Sequence, residues 1–558
     1  MLYYITSIIL FVFSFLQSSH SLPWSAAHSE IFVFFALAFF GLGAIKNKKI
    51  ITLHTTTFTK ILALLIFITW IQFFIGKIYF FGDAFIFSIY LFSCVISLFL
   101  VQIHGSDRRW ILFFAFTLLG TSLASSFISI IQALGTHTDA NWIFQSGSFR
   151  RPGANLAQPN HVGTLLIIGF ASLIYIDQRL LLHRVLTTLC GFVLFIGLGI
   201  TESRTSIISC TLFFLWWFYI EKISPRAPSP KKIAASVLTL FTVMWIWPQA
   251  ISSFHEGGKL EKQVLINTTS SMRLETWSNI WQAAWDHPWF GWGMRGTSEA
   301  LSTIRHDHIR TQPFTYAHNF ILELIISIGF PLTIIICSAI VFSFYKWIKN
   351  IKTIDEWYAI GILTPFALHN LFEYPFAYTY LLIPAFIAIG VLERNYGNNS
   401  TFTIKKNTAT AILTIFLAII FKLSADYISI EDDYRIARFR ASNIEVSPIT
   451  NQHSKINPII LTQIEALVFA TTHTPTENMS KAEIEKLRQT AIRFPWPQIQ
   501  NKYALSLALN NNPQEADRQL KIIHAMHGQQ RFETIRQQWI ELRDTKYEIL
   551  KSISIIDK

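Results

Sequence analysis

The sequence predicts an all-α polytopic membrane protein of about 13 transmembrane helices, followed by an outward-facing C-terminal domain of helical hairpins, tetratricopeptide-like in pattern. Three observations lead there. Of 558 residues, 51% are hydrophobic and 14% charged, whereas soluble domains carry about 25% charged residues. Apolar runs recur at lengths that cross a hydrocarbon core of about 30 Å. The loops between them are alternately rich and poor in Lys and Arg, the pattern that fixes membrane orientation.

The runs fall at about residues 2–17, 30–45, 58–75, 84–103, 110–133, 162–177, 185–201, 205–220, 233–250, 319–345, 357–371, 376–392 and 409–424. The first has the length of a signal peptide but lacks a basic flank and is followed at once by further runs, so it reads as a span. With the N-terminus inside, the inner loops hold Lys46, Lys48, Lys49 and Lys60; Arg108 and Arg109; Arg179 and Arg184; Lys222, Arg226, Lys231 and Lys232; Lys346, Lys349 and Lys352; and Arg394, Lys405 and Lys406. The outer loops near 18–29 and 369–375 carry no Lys or Arg, and the one near 76–83 only Lys77. The net charge of +12 is therefore a matter of topology and not of nucleic-acid binding. Cys94, Cys190, Cys210 and Cys337 all sit in apolar runs, which indicates no disulfide framework. An odd number of spans places the C-terminus outside. The expected division is a membrane domain, 1–424, with a large outer loop at 251–318, and a helical domain, 425–558, whose apolar positions recur at helical spacing between Asn and Pro breaks.

Four outer segments carry polar residues that a purely structural account does not need. The loop from Gly135 to His161 sets Arg150 and Arg151 beside a Pro-Gly turn and sends Gln158, Asn160 and His161 into the membrane interface. Polar groups there are costly unless paired or functional; the plain alternative is anchoring, with Asn160 as a helix cap. TESRTS, residues 201–206, interrupts a long apolar run and holds Arg204, which calls for an anion: Glu202 in the plain reading, a lipid phosphate in the functional one. In the loop 251–318, Trp277, Trp281 and Trp285 recur at i, i+4 after Arg273, giving one aromatic stripe of an interfacial helix. His306, Asp307 and His308 are adjacent without a further spaced partner, a poor metal pattern. His318 and Asn319 open the tenth span, where a helix N-terminus disfavours imidazolium and leaves a base able to accept a proton. The turn 369–376 adds His369, Glu373 and Tyr374.

Guanidinium groups, an imidazole and amides thus gather at the outer face, with no carboxylate pair suited to a metal. This set suits transfer from a polyprenyl diphosphate, in which the leaving group needs charge stabilisation and the incoming hydroxyl needs a base. Neither metal nor cofactor is expected.

RPGANLAQPNH, TESRTS, MRLETW with HPWFGWG, AHNFILELIISIGFPL and HNLFEYP resemble, in order, the motifs of the bacterial PglL-type protein O-oligosaccharyltransferases, relatives of the O-antigen ligases in a superfamily of metal-independent membrane glycosyltransferases. The SR and HN motifs are shared across that superfamily; NLAQPNH and EYP are more specific to the protein-modifying enzymes. The resemblance implies an inner-membrane enzyme that moves a preassembled glycan en bloc from undecaprenyl diphosphate to a Ser or Thr of an exported protein such as a pilin. It implies that His318 is the essential histidine, that Arg204 and Arg273 hold the diphosphate, and that Gln158, Glu373 and Tyr374 belong to the remaining polar motifs. His161 stands where Gln is frequent in the family. An O-antigen ligase acting on lipid A-core is the nearest alternative, and a lipid-linked-glycan flippase one of another class, disfavoured because the polar residues lie at one face and not at mid-bilayer.

Overall fold

The structure is a computed structural model that describes residues 1–105, 107, 109–135, 140–145, 151–219, 230–254, 273–303, 313–396, 400–442, 444 and 458–553. Each expected apolar run is helical, the tenth with a break inside it. In chain order these begin with α1 (Leu2–Leu16), α2 (Ala27–Ile45), α3 (Thr57–Phe74), α4 (Phe81–His104), α5 (Arg109–Ala133), α6 (Pro159–Gln178), α7 (Arg184–Ile200), α8 (Arg204–Phe218) and α9 (Pro230–Phe254). The segment read as an outer loop contains two more, α10 over 273–284 and α11 (Thr297–Thr303). Next come α12 (Phe320–Asn350), α13 (Ile354–Phe372), α14 (Thr379–Tyr396) and α15 (Lys406–Ala441). Among the described residues, seven helices are long and apolar enough to cross a membrane: α2 to α6, α12 and α15; α1, α7, α8 and the Ile233–Trp247 part of α9 are shorter apolar helices. The chain is a multi-pass membrane protein.

Two features depart from expectation. The apolar run ending near 424 does not end its helix: α15 continues to Ala441. A two-stranded antiparallel ribbon also joins two basic loops, β1 (Ile50–Thr55) with β2 (Ser400–Lys405), in the register Ile50 to Lys405 through Thr55 to Ser400. Its β-branched Ile and Thr residues suit a pleated ribbon.

The described residues divide into two compact units. The first comprises Met1–Leu65, Ile89–Val264 and Ile336–Lys422; the second comprises Ile66–Ser88, Leu265–Ile335 and Leu423–Lys558.

At the centre of the first unit lies α6, buried from Asn160 to Ile176, with α5, α7, α8 and α13 packed around it. Small residues permit this approach: a Cβ on Gly163 would meet Ser206 Oγ at 1.8 Å, and one on Gly169 would meet Ser122 at 2.5 Å. Gln158 caps α6 by accepting the Asn160 N–H, and Pro159 fills the first position, where no N–H is needed. A capping box of Thr353 and Glu356 starts α13.

In the second unit α16 (Thr462–Thr472), α17 (Lys481–Arg493), α18 (Pro497–Leu509), α19 (Pro513–His527) and α20 (Gln529–Thr545) enclose a core of Leu487, Tyr503, Leu520 and Trp539. A second core unites α10, α11 and the start of α12 with Ile522 and Met526 of α19. The Arg493 guanidinium donates to both Asp83 oxygens at 2.7 and 2.8 Å, a bidentate pair with little solvent access.

The break in α12 is held by backbone partners and by the Gln72 side chain. Gly329 has φ +79°, and Pro331 follows. Of the carbonyls near the break, Ile326 accepts the Trp292 N–H at 2.6 Å and Ser327 accepts from Gln72 Nε2 at 2.8 Å. Gln72 Oε1 in turn accepts the Met294 N–H at 2.9 Å. A broken helix at membrane depth is stable only when its backbone groups find such partners.

Candidate functional site

The residues singled out from sequence fall into two sets, one in each unit, and each set has its own geometry.

In the first unit, a buried polar chain links three helix ends. The Ser206 hydroxyl donates to Ser203 Oγ at 2.8 Å, Ser203 donates to Asn160 Oδ1 at 2.7 Å, and Asn160 Nδ2 donates to Glu373 Oε1 at 3.1 Å. Asn160 is therefore a cross-helix link and not the cap; that task is Gln158's. Ser203 is the cap of α8, so the chain fixes the start of the helix whose first residue is Arg204. Arg204 is exposed, and among the described residues no ion pair joins it to Glu202, which has φ +44°.

His161 is buried. Its Nδ1 shares a hydrogen bond of 2.8 Å with the Tyr380 hydroxyl, and its ring lies 4.5 Å from that of Tyr378 and 5.4 Å from that of His369. His369 is wholly buried and shares a 2.8 Å hydrogen bond with Thr164. Tyr374 stacks on Tyr378 at 5.9 Å. Arg151 Nε donates to the Thr201 carbonyl at 3.3 Å, at the end of α7, and Arg150 lies outside the described residues. Gln158, Asn160, His161, His369, Glu373 and Tyr374 are thus assembled around the N-terminal end of α6.

The second unit holds Arg273, His318 and Asn319. Arg273 opens α10 and is half-buried. The Trp stripe packs on the broken helix: Trp277 Nε1 donates to the Ala317 carbonyl at 2.9 Å, while Trp281 and Trp285 lie 5.5 and 4.9 Å from Phe330. His318 does not stand at the helix terminus as expected. Asn319 is the cap, accepting from Ile321 N at 3.0 Å and Leu322 N at 3.1 Å, and α12 begins at Phe320. His318 precedes the cap with φ +52°, a conformation that non-glycine residues seldom adopt and that surrounding contacts must hold. Those contacts are at Ala317, whose carbonyl takes Trp277 and whose N–H donates to Glu323 Oε2 at 2.7 Å. Thr297 also donates to Glu323, at 3.2 Å.

Three residues of these surroundings were missed from sequence. Glu323 is a buried carboxylate one turn into an apolar helix, the kind of intramembrane charge that signals function or a bound partner. Ser203 was passed over beside Arg204. Arg295 stacks on Tyr316 at 4.6 Å; it is hidden in sequence among glycines and aromatics. No group of three His, Cys, Asp or Glu able to hold a metal occurs among the described residues, and His306, Asp307 and His308 lie outside them.

Residues 189–337 match the family described as O-Antigen ligase. Residues 357–540 match the family described as Virulence factor membrane-bound polymerase, C-terminal. Over 534 residues the chain is 25% identical to the General O-oligosaccharyltransferase of Acinetobacter baylyi, covering 93% of this chain and 91% of that protein. Along most of its length, then, the chain is similar to a protein O-oligosaccharyltransferase. It is also 28% identical over 372 residues to the ComP-specific O-oligosaccharyltransferase of the same organism, covering 63% of this chain and 64% of that protein. Arg204, Arg273 and His318 fall inside the O-antigen ligase match. His369, Glu373 and Tyr374 fall inside the other.

Proposed function

We propose that this chain is a membrane glycosyltransferase that moves a preassembled oligosaccharide en bloc from undecaprenyl diphosphate to Ser or Thr hydroxyls of exported proteins, a pilin among them. The observation that carries the reading is similarity along 93% of the chain to a protein named General O-oligosaccharyltransferase. The proposed setting is the inner membrane, crossed by 13 helices, with 251–318 and the tetratricopeptide-like region 425–558 in the periplasm.

In the proposed mechanism Arg204 and Arg273 stabilise the diphosphate, each as a planar guanidinium fork matched to phosphate oxygens. His318 accepts the proton of the acceptor hydroxyl as its oxygen attacks the anomeric carbon. The bond from that carbon to the diphosphate oxygen breaks, and undecaprenyl diphosphate leaves as an anion. Glu323 and Trp277 support His318 by fixing the backbone of Ala317. The Asn160, Ser203 and Glu373 chain supports Arg204 by fixing the start of α8. Gln158, His161, Arg150, Arg151, Asn319, His369 and Tyr374 are assigned to the surroundings of the bound substrates. Neither metal nor cofactor takes part in the proposed reaction.

The O-Antigen ligase match over 189–337 supports a second reading, with lipid A-core as acceptor. Mass spectrometry of periplasmic and pilus proteins from cells with and without the chain separates the two. The first reading expects glycan-sized mass additions on Ser or Thr that vanish with the chain. Their persistence, with loss of glycan from lipopolysaccharide, would favour the second.

A further inference from the structure

At one end of the first unit a cleft of about 570 Å³ opens between α1, α2, α4, α5 and α14, walled by Ile8, Phe11, Leu37, Phe40, Phe113 and Phe114. This is within the roughly 300–1,000 Å³ of small-ligand sites. It continues into a polar recess of about 380 Å³ lined by Lys46, Asn47, Lys48 and Asp107. Met1, Tyr4, His104 and Asp107 line both, so the two spaces form one site with an apolar shaft and a charged mouth.

The mouth is basic in effect. Asp107 is already engaged by Arg109, whose Nε and Nη2 donate to its two oxygens at 3.0 and 2.9 Å. Lys46 and Lys48 are exposed, and no ion pair to either occurs among the described residues. At the junction of shaft and mouth the His104 ring lies 5.8 Å from that of Trp110 and 5.0 Å from that of Phe40. Trp110 is 7% exposed, and its indole N–H is buried with no hydrogen-bond acceptor among the described residues. A buried donor of this kind is ordinarily satisfied.

From this geometry we infer that the cleft is a binding site for an anionic glycerophospholipid, with one acyl chain in the shaft, the ester region beside Trp110, and the phosphate against Lys46 and Lys48. An apolar shaft selects hydrocarbon, the indole offers an ester carbonyl its missing partner, and two ammonium groups select a negative headgroup over a zwitterionic one. The basic loops 46–49 and 108–109 mark this end as the inner leaflet, the side opposite to that assigned to the transfer chemistry. The site is therefore separate from the donor's diphosphate site and goes beyond the transferase reading.

The test is native mass spectrometry of the delipidated full-length protein titrated with phosphatidylglycerol or phosphatidylcholine. We expect phosphatidylglycerol to bind about 30-fold more tightly than in K46Q/K48Q, from roughly one unit of lipid attraction per lysine. Phosphatidylcholine should bind wild type only as weakly as phosphatidylglycerol binds that variant. Ile8→Trp, which fills the shaft without touching charge, should exclude both. Photolabelling of wild type with phosphatidylglycerol bearing an acyl diazirine reads the site without any variant, and the labels should fall on 1–17 and 109–117. Equal binding of the two lipids, unchanged binding in Ile8→Trp, or labels confined to other helices would overturn the inference. Displacement of phosphatidylglycerol by equimolar undecaprenyl phosphate would also overturn it, by making the shaft a seat for the polyprenyl tail.

Discussion

The Glu323 carboxylate accepts the Ala317 N–H at 2.7 Å, tying the residue before His318 to the first turn of the helix after it. A side chain five residues downstream thereby sets the backbone that presents the proposed base.

Replacing that carboxylate separates positioning from chemistry. Glu323→Ala removes the acceptor for Ala317 and Thr297, and a base displaced by about 1 Å costs on the order of 100-fold in rate. Glu323→Gln keeps a carbonyl acceptor and should retain most activity. The check is kcat and KM for both variants: Ala should lower kcat with KM nearly unchanged, and Gln should restore it.

The arginines are expected to resist conservative replacement. Lys supplies a point charge but not the guanidinium fork, and loss of one charge-stabilising contact typically costs about 3 kcal/mol, or roughly two powers of ten. Arg204→Lys and Arg273→Lys should each fall by about that factor in single-turnover transfer, with the helix content of the protein unchanged by circular dichroism.

Packing of α6 on α8 gives a prediction for stability. Because a Cβ on Gly163 would sit 1.8 Å from Ser206 Oγ, Gly163→Val must push the helices apart, and overpacking typically costs about 1–3 kcal/mol. Thermal unfolding in detergent should show a lowered midpoint. Pairing Gly163→Val with Ser206→Gly should recover part of the loss.

Burial holds the His527 imidazole down to about 4, with Arg531 adding to the effect; its Nε2 faces Gln500 Oε1 at 2.7 Å. Between pH 4 and 6.5 the unfolded chain binds a proton that the folded chain does not, so stability contributed here is full above pH 6.5 and falls as pH drops toward 4. His527→Gln should flatten the pH dependence of the melting midpoint over that window. An unchanged slope would remove His527 as its cause.

What was legible in the sequence follows from the scale of each signal. The apolar runs are long and periodic, so every helix from α1 to α9 and α12 to α15 could be placed. The end of α15 could not, because the chain turns polar after Ser424 while remaining a good helix former through Ala441. His318, Arg204 and Asn160 were visible because a polar residue at a span's edge is costly. Their partners were not: Ser203 is unremarkable in composition, Glu373 reaches Asn160 across 213 positions, and the role of Glu323 depends on the left-handed backbone at His318. The ribbon β1–β2 was missed because two short Ile- and Thr-containing strands far apart in sequence carry no mutual signal.

The most direct test of the central claim is reconstituted transfer. Purified wild type and His318→Ala are given an undecaprenyl-diphosphate-linked oligosaccharide together with a pilin acceptor and, in a parallel reaction, lipopolysaccharide core. The account expects wild type to glycosylate the pilin and release undecaprenyl diphosphate, with His318→Ala slower by about 100- to 10,000-fold, the range lost with a general base. Near-wild-type transfer by His318→Ala, or glycan reaching only the lipopolysaccharide core, would contradict it.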